Sequence, residues 1–167
     1  GAIAMRPGAP SRLGEAAAMK PSLQAVYSDV RAIGNGFIEG GDILVTEREI
    51  LVGRSARTDA EGVAELRRLV ADWGYVVREL QTLEGVLHFK SDCGLLDSKT
   101  IFSTGILAAS GCFDGYTVIE APKGEEAAAN LIRFNDFVIM RTGFPKTEAL
   151  LKASGYQVKT LSCDAAA

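Results

Sequence analysis

The chain has 167 residues, of which 47% are hydrophobic and 23% charged, and its formal net charge is −3 with an isoelectric point near 5.3. This composition excludes intrinsic disorder, the lack of a basic stripe argues against nucleic acid as a partner, and the apolar runs are too short to span a membrane. Three cysteines fit no zinc or redox spacing. We therefore expect one cytoplasmic domain over residues 1–167, with reduced thiols.

The first elements in chain order are a short strand, an alanine-rich helix and a second short strand, all within residues 1–33. A β-hairpin is predicted at 42–46 and 49–52 because β-rich runs there flank polar joints. The apolar spacing over Asp59–Trp73 predicts an amphipathic helix. Gly74 follows it where a helix commonly ends in a left-handed glycine.

The same order of elements is predicted twice more downstream. In each case a hairpin precedes a helix, and the middle helix is the weakest of the three. The predicted ranges are strands 94–96 and 100–102 with a helix near 105–110, then strands 129–134 and 137–140 with a helix at 146–154 that has Pro145 in its first turn.

A Gly-Tyr-x-Val string occurs three times, and its first and third copies place Gly74 and Gly155 at the C-terminal end of a predicted helix. It begins at Gly74, Gly115 and Gly155, so the spacings are 41 and 40 residues. An even period of this length is typical of repeat architectures. We predict an α/β protein of ββαβ units at approximately 1–35 (partial), 36–81, 86–120 and 128–162; an ordinary open α/β sheet is the alternative.

The sequence contains no phosphate-binding, zinc-protease or serine-hydrolase motif, so the candidates for chemistry are individual residues. His88 is the only histidine, and histidine transfers protons near neutral pH; the alternative is a histidine at the surface or core edge. Glu39 and Asp42 enclose two glycines and could orient a histidine or hold a cation. The alternative for this pair is a glycine-rich turn with solvated acids.

Arginines and cysteines supply the other candidates. Arg57 lies in the loop before the Asp59–Trp73 helix and would clamp a carboxylate if it faced a pocket, whereas Arg12 has no stronger claim than any surface arginine. Cys93, Cys112 and Cys163 each have only a weak claim to be a nucleophile.

Four segments together resemble the dimethylarginine dimethylaminohydrolases. They are Ile38-Glu39-Gly40-Gly41-Asp42, the pattern Gly53-x-Ser55-x-Arg57-Thr58-Asp59-x-x-Gly62, Leu87-His88-Phe89-Lys90 and Ala128-Ala129-Asn130, and the opening Arg6-Pro7-Gly8-Ala9-Pro10-Ser11-Arg12 is similar as well. The resemblance covers essentially the whole chain. It implies a pentein-type α/β propeller, of which this chain would hold about three and a half of five units.

The resemblance also implies a function: a C–N hydrolase acting on linear amidines that cleaves Nω-methylated arginine to citrulline and methylamine or dimethylamine through a cysteine, without cofactor or metal. His88 would be the general acid and base, Glu39 would bind the guanidinium, and Arg12 and Arg57 would hold the α-carboxylate. The implied partner is a small guanidino molecule, methylated arginine or arginine, and a homodimer is a further expectation.

The sequence departs from the family at its end, where Leu161-Ser162-Cys163 lacks the Gly-Gly that precedes the family's nucleophile. The chain is therefore expected to be inactive by itself. Three explanations of this ending remain open: a truncated chain or gene fragment, a naturally shortened chain with a binding or assembly role, and Cys163 as a displaced nucleophile. A deiminase or amidinotransferase relative is the alternative for the reaction.

Overall fold

The computed structural model describes residues 1–82 and 86–162, and the chain divides into two compact units, residues 1–89 and 90–167. None of the helices in these described ranges has both the length and the apolar character needed to cross a bilayer. The first unit contains β1 (Ala2–Ala4), α1 (Glu15–Val26), β2 (Val30–Ala32), β3 (Ile43–Val45), β4 (Glu49–Arg54), α2 (Ala60–Val70) and β5 (Val76–Gln81).

Two sheets are formed in the first unit. β1 pairs in parallel with β2, and β4 lies between an antiparallel β3 and a parallel β5. Leu51 and Val52 in the central strand β4 are completely buried. A short connection can join β3 to β4, whereas the parallel pair β4 and β5 needs the crossover that α2 provides.

Helix α2 begins and packs as its sequence predicts. The Asp59 carboxylate accepts a hydrogen bond from the backbone N–H of Gly62 in the first turn, so Asp59 is the N-cap. The large apolar side chains of the helix all lie on its buried face: Val63, Leu66, Leu69 and Val70. They join a core that includes Ile38, Ile43, Ile50 and Val77 from the neighbouring strands and loop.

Helix α1, unlike α2, contributes no buried residue to the first unit, although all twelve of its residues are described. Pro21 lies inside the helix. Its alanine-rich sequence favours a helix by intrinsic propensity, so this element forms without contributing to the core.

The second unit repeats the hairpin, helix and parallel-strand order twice. Its elements are β6 (Cys93–Leu95), β7 (Thr100–Ser103), α3 (Gly105–Ala109), β8 (Thr117–Glu120), β9 (Ile132–Phe134), β10 (Phe137–Arg141), α4 (Pro145–Ala153) and β11 (Gln157–Leu161). In both three-stranded sheets the second strand of the hairpin is central, as β4 is in the first unit. β7 pairs antiparallel with β6 and parallel with β8, and β10 pairs antiparallel with β9 and parallel with β11.

The three glycines of the repeated string have left-handed backbone conformations, as the sequence predicts for Gly74 and Gly155. Gly74, Gly115 and Gly155 have φ values of 79°, 87° and 91°, in the left-handed region that glycine occupies without steric cost. One predicted strand is shorter than expected. Ala129 is predicted at the start of the third hairpin, but it lies buried in a 3-10 turn, and β9 begins only at Ile132; alanine suits this helical turn better than a strand.

The start of α4 is capped from a distance. The Glu125 carboxylate accepts hydrogen bonds from the backbone N–H groups of Lys146 (3.1 Å) and Thr147 (2.7 Å). Burial by itself raises the pKa of Glu125, but the N–H bonds from Thr147 and Lys146 outweigh it and hold the pKa below its usual range. This carboxylate is therefore most effective as a cap in its ionised form.

Candidate active site

The Glu39-Gly40-Gly41-Asp42 segment forms a 3-10 turn that leads into β3. Asp42 is completely buried and accepts three hydrogen bonds. Its Oδ2 accepts from the hydroxyls of Ser55 (2.7 Å) and Thr58 (2.6 Å), and its Oδ1 accepts from the backbone N–H of Phe89 (2.9 Å). One carboxylate thus ties the turn to the β4–α2 loop and to the segment that carries His88.

The β4–α2 loop is fixed to the Glu39 segment at two further points. The backbone N–H of Glu39 donates to Thr58 Oγ1 (3.2 Å), and the N–H of Phe37 donates to the carboxylate of Asp59 (3.1 Å). Within the loop, the N–H of Arg57 donates to the Ser55 hydroxyl (3.1 Å). These bonds place the Arg57 side chain beside Glu39.

Glu39 is the centre of charge in this site. Its side chain is only 2% exposed, and its Oε2 lies 3.2 Å from Arg12 Nη1, 3.7 Å from Arg57 Nη1 and 3.4 Å from His88 Nε2. Its other oxygen, Oε1, is buried and has no hydrogen-bond partner among the residues that the structure describes. A buried acceptor without a donor is costly, so this oxygen is suited to a cationic donor that enters the site.

His88 lies between the two carboxylates of the turn. Its Nε2 is 3.4 Å from Glu39 Oε2, and its Nδ1 is 3.4 Å from Asp42 Oδ1, although the latter pair is not aligned as a hydrogen bond. The ring rests on Gly41, where an added Cβ would lie 2.7 Å from the ring Cγ. The glycine therefore allows a close approach that places an imidazole within reach of Glu39, as proton transfer requires.

A cleft of about 210 Å³ opens beside these residues. Arg12, Glu15, Glu39 and Gly40 form its polar side, whereas His88 contacts Glu39 without lining the cleft. The apolar side comes from the β1 region and α1, namely Ile3, Ala4, Met5, Pro7, Ala16, Met19 and Leu23. A cleft with acid, arginine and apolar walls fits a small molecule that has both charged ends and an aliphatic part.

The thiols that the structure describes do not resemble an activated nucleophile. Cys93 is completely buried, and burial raises the pKa of its thiol well above the ordinary value. Cys112 is half-buried, with its Sγ 3.7 Å from the carbonyl oxygen of Leu107. Cys163 lies outside the described residues. Within 1–82 and 86–162, no group of three or more histidine, cysteine, aspartate or glutamate side chains could hold a metal ion.

The structure brings the four candidates from the sequence together, because Arg12, Arg57 and His88 all contact Glu39. Sequence reasoning named Asp42 only as a second carboxylate and did not identify its partners. One signal could have pointed to a buried acceptor. The loop before α2 carries two hydroxyl residues, Ser55 and Thr58, although a helix needs only one N-cap, and buried hydroxyls require a hydrogen-bond partner.

Comparison with known proteins places these features in context. A family model described as arginine deiminase matches residues 18–145. The N(G),N(G)-dimethylarginine dimethylaminohydrolase of Pseudomonas aeruginosa is 35% identical over 162 residues, which are 94% of this chain and 62% of that protein. The enzyme of the same name from Streptomyces coelicolor is 30% identical over 159 residues, which are 93% of this chain and 60% of that protein. The chain thus spans about 60% of the length of these curated relatives.

The chain is also similar in structure to a solved dimethylarginine dimethylaminohydrolase. A cysteine-to-serine variant of the Pseudomonas aeruginosa enzyme in complex with citrulline superposes with a TM-score of 0.90 at 33% sequence identity. The match covers 96% of this chain and 63% of that chain.

Proposed function

The chain belongs to the arginine deiminase family, and from this premise we propose that it carries the guanidinium-binding part of a hydrolase that converts Nω-methylated arginine to citrulline and methylamine or dimethylamine. The resemblance to the dimethylarginine dimethylaminohydrolases that the sequence predicts is confirmed by relatives of that name, and the fold is the mixed α/β pentein fold. The activity concerns the whole protein, since the chain spans 62% of the length of its Pseudomonas aeruginosa relative.

One observation carries the proposal: the buried Oε1 of Glu39, which has no donor among the described residues. A guanidinium is a planar cation with N–H groups that match the geometry of a carboxylate. The other oxygen of the same carboxylate already lies against the guanidinium groups of Arg12 and Arg57. Glu39 is therefore well placed to bind the guanidinium of a substrate.

His88 would supply the proton transfers. The family resemblance implies a nucleophilic cysteine, whose thiolate would attack the guanidinium carbon. The C–N bond to the methylated nitrogen would break as His88 protonates the leaving amine. His88 would then take a proton from water, which attacks the same carbon; the C–S bond breaks and citrulline leaves. The 3.4 Å between His88 Nε2 and Glu39 Oε2 supports this role, because a group bound to Glu39 lies within reach of the imidazole.

Arg12 and Arg57 would hold the α-carboxylate of the substrate. Their side chains are 45% and 35% exposed, so a ligand can reach them. Each guanidinium has N–H groups besides the one that faces Glu39, and these would receive the substrate's carboxylate. The nucleophilic cysteine and the absence of a cofactor remain implications of the family resemblance.

We further propose that residues 1–167 belong to a single propeller domain built from ββαβ units, and that the protein forms a homodimer. Unfolding followed by the fluorescence of Trp73, the only tryptophan, should then coincide with unfolding followed by far-ultraviolet circular dichroism. Sedimentation should give twice the mass of one chain. Separate transitions would contradict a single domain, and a monomeric mass would contradict the dimer.

Calorimetric titration with Nω,Nω-dimethylarginine, arginine and norvaline tests the proposed function. The chain should bind dimethylarginine and not norvaline, which has no guanidinium. Glu39→Gln should weaken binding at least about tenfold, because a hydrogen bond to a charged group contributes about 1.5–3 kcal/mol. Glu49→Gln is the matched control, since Glu49 is also mostly buried and pairs with an arginine, Arg78, but does not line the cleft.

The outcomes separate the candidate functions. Tighter binding of arginine than of dimethylarginine would favour a deiminase or amidinotransferase. Equal binding of norvaline and dimethylarginine would refute a guanidinium site at Glu39. In the whole protein, the matching readout is release of citrulline together with dimethylamine, and ammonia release from arginine would indicate the deiminase reaction.

A further inference from the structure

The Arg12 guanidinium is held on two sides by carboxylates. Its Nε donates to both oxygens of Glu15, at 3.0 and 3.1 Å, and its Nη2 donates to Glu15 Oε2 at 2.8 Å. Its Nη1 donates to Glu39 Oε2 at 3.2 Å. Contact along one edge by a carboxylate fixes the plane of a guanidinium as well as its position.

From this geometry we propose that Glu15 is a positioning residue that orients Arg12 to recognise the α-carboxylate of the substrate, and so selects amino acids over guanidines without a carboxylate. The inference rests on the proposed function of Arg12. Of the five N–H groups of a guanidinium, these contacts engage three: one each on Nε, Nη2 and Nη1. One N–H on each terminal nitrogen therefore remains for a further carboxylate.

Glu15 is needed because Arg12 has a competing partner. The buried carboxylate of Glu39 attracts the same guanidinium, and an arginine that turned fully toward it would occupy the place of the substrate guanidinium. The bond to Glu15 fixes the Nε edge of Arg12, and both residues line the cleft. The hydrogen bond with Glu15 is also the main reason that the pKa of Arg12 is raised.

Glu15 could instead act only through the stability of α1. It is the first residue of this helix, where a negative charge is stabilising. If that were its only role, its loss would weaken the binding of all ligands alike. The Glu65–Arg68 pair of α2 provides a matched control: Arg68 Nε and Nη2 donate to Glu65 at 3.1 and 2.8 Å, with the same spacing of three residues. Neither of its members lines the cleft.

The experiment compares two ligands by calorimetric titration: Nω-methylarginine and Nω-methylagmatine, which is the same guanidine without the carboxylate. Glu15→Gln should weaken binding of Nω-methylarginine about two- to fivefold, the range expected for an exposed ion pair. Binding of Nω-methylagmatine should not change. Glu65→Gln should affect neither ligand, and Glu15→Gln should have no further effect in an Arg12→Ala background.

Each other outcome overturns the inference. An equal loss for both ligands would assign Glu15 a structural role, and tighter binding of Nω-methylarginine would mean that Glu15 competes with the substrate for Arg12. Either result leaves the proposed function intact if the unsubstituted chain binds both ligands. Failure of the unsubstituted chain to bind either ligand would refute the proposed function, and this inference with it.

Discussion

Replacement of Asp42 by alanine removes the acceptor of three hydrogen bonds, from Ser55, Thr58 and the backbone N–H of Phe89. A hydrogen bond to a charged group contributes about 1.5–3 kcal/mol. The half-buried Ser55 hydroxyl can turn to water, but the buried Thr58 hydroxyl and the N–H of the buried Phe89 cannot. Part of the loss is offset because the folded state no longer buries a charge. We expect the free energy of unfolding to fall by about 3–5 kcal/mol.

Asp42→Asn should be milder, at about 1–3 kcal/mol. Its amide oxygen can still accept from the two hydroxyls, whereas its NH₂ group would face the N–H of Phe89. Urea denaturation followed by Trp73 fluorescence measures the effect, because this single tryptophan lies in the same unit as Asp42. Glu65→Gln, which weakens a pair on α2 between the exposed Arg68 and the mostly buried Glu65, should cost less than about 0.5 kcal/mol. A loss below about 1 kcal/mol for Asp42→Ala would refute the reasoning, since the donors would then have found other partners.

Three further predictions concern the glycine beside His88, the carboxylate that caps α4 and the buried thiol of Cys93. Gly41→Ala should displace the imidazole of His88 and shift its NMR resonances, because the new Cβ would lie 2.7 Å from the ring, while Gly40→Ala should not, because no atom lies within 4 Å of its Cβ position; equal shifts would contradict the packing. Because the folded pKa of Glu125 is lowered, its stabilising effect is present above the ordinary pKa of 4.5 and is lost as the pH falls through the folded value. Glu125→Gln should thus flatten the loss of stability in acid, measured by urea denaturation from pH 7 to pH 3, and an unchanged slope would argue against this cap. Cys93 should resist iodoacetamide at pH 7 until the chain unfolds, because burial disfavours its thiolate; peptide mass spectrometry would reveal modification in the native chain, which would contradict the burial.

Elements whose causes are local could be predicted from the sequence. The helix predicted over Asp59–Trp73 is observed as α2 with a following 3-10 turn, since its N-cap, its apolar spacing and its terminal Gly74 all lie within a few residues. The left-handed conformation expected for Gly74 and Gly155 is observed for the same reason. Family membership also followed from the sequence, because short motifs in a fixed order are visible without coordinates.

The contacts of the candidate site depended on tertiary structure. Asp42 meets donors that lie 13, 16 and 47 residues away, and Arg12 reaches Glu39 across 27 residues. No local propensity encodes such pairs, because they form only when the turn at residues 39–42, the β4–α2 loop and the segment that carries His88 have packed together. The sequence by itself determined which local elements form, and it supplied the candidate site residues Arg12, Glu39, Arg57 and His88. The packed chain decided that Glu39 is buried with one oxygen lacking a donor among the described residues, since burial depends on all the elements around a side chain and not on its neighbours in sequence.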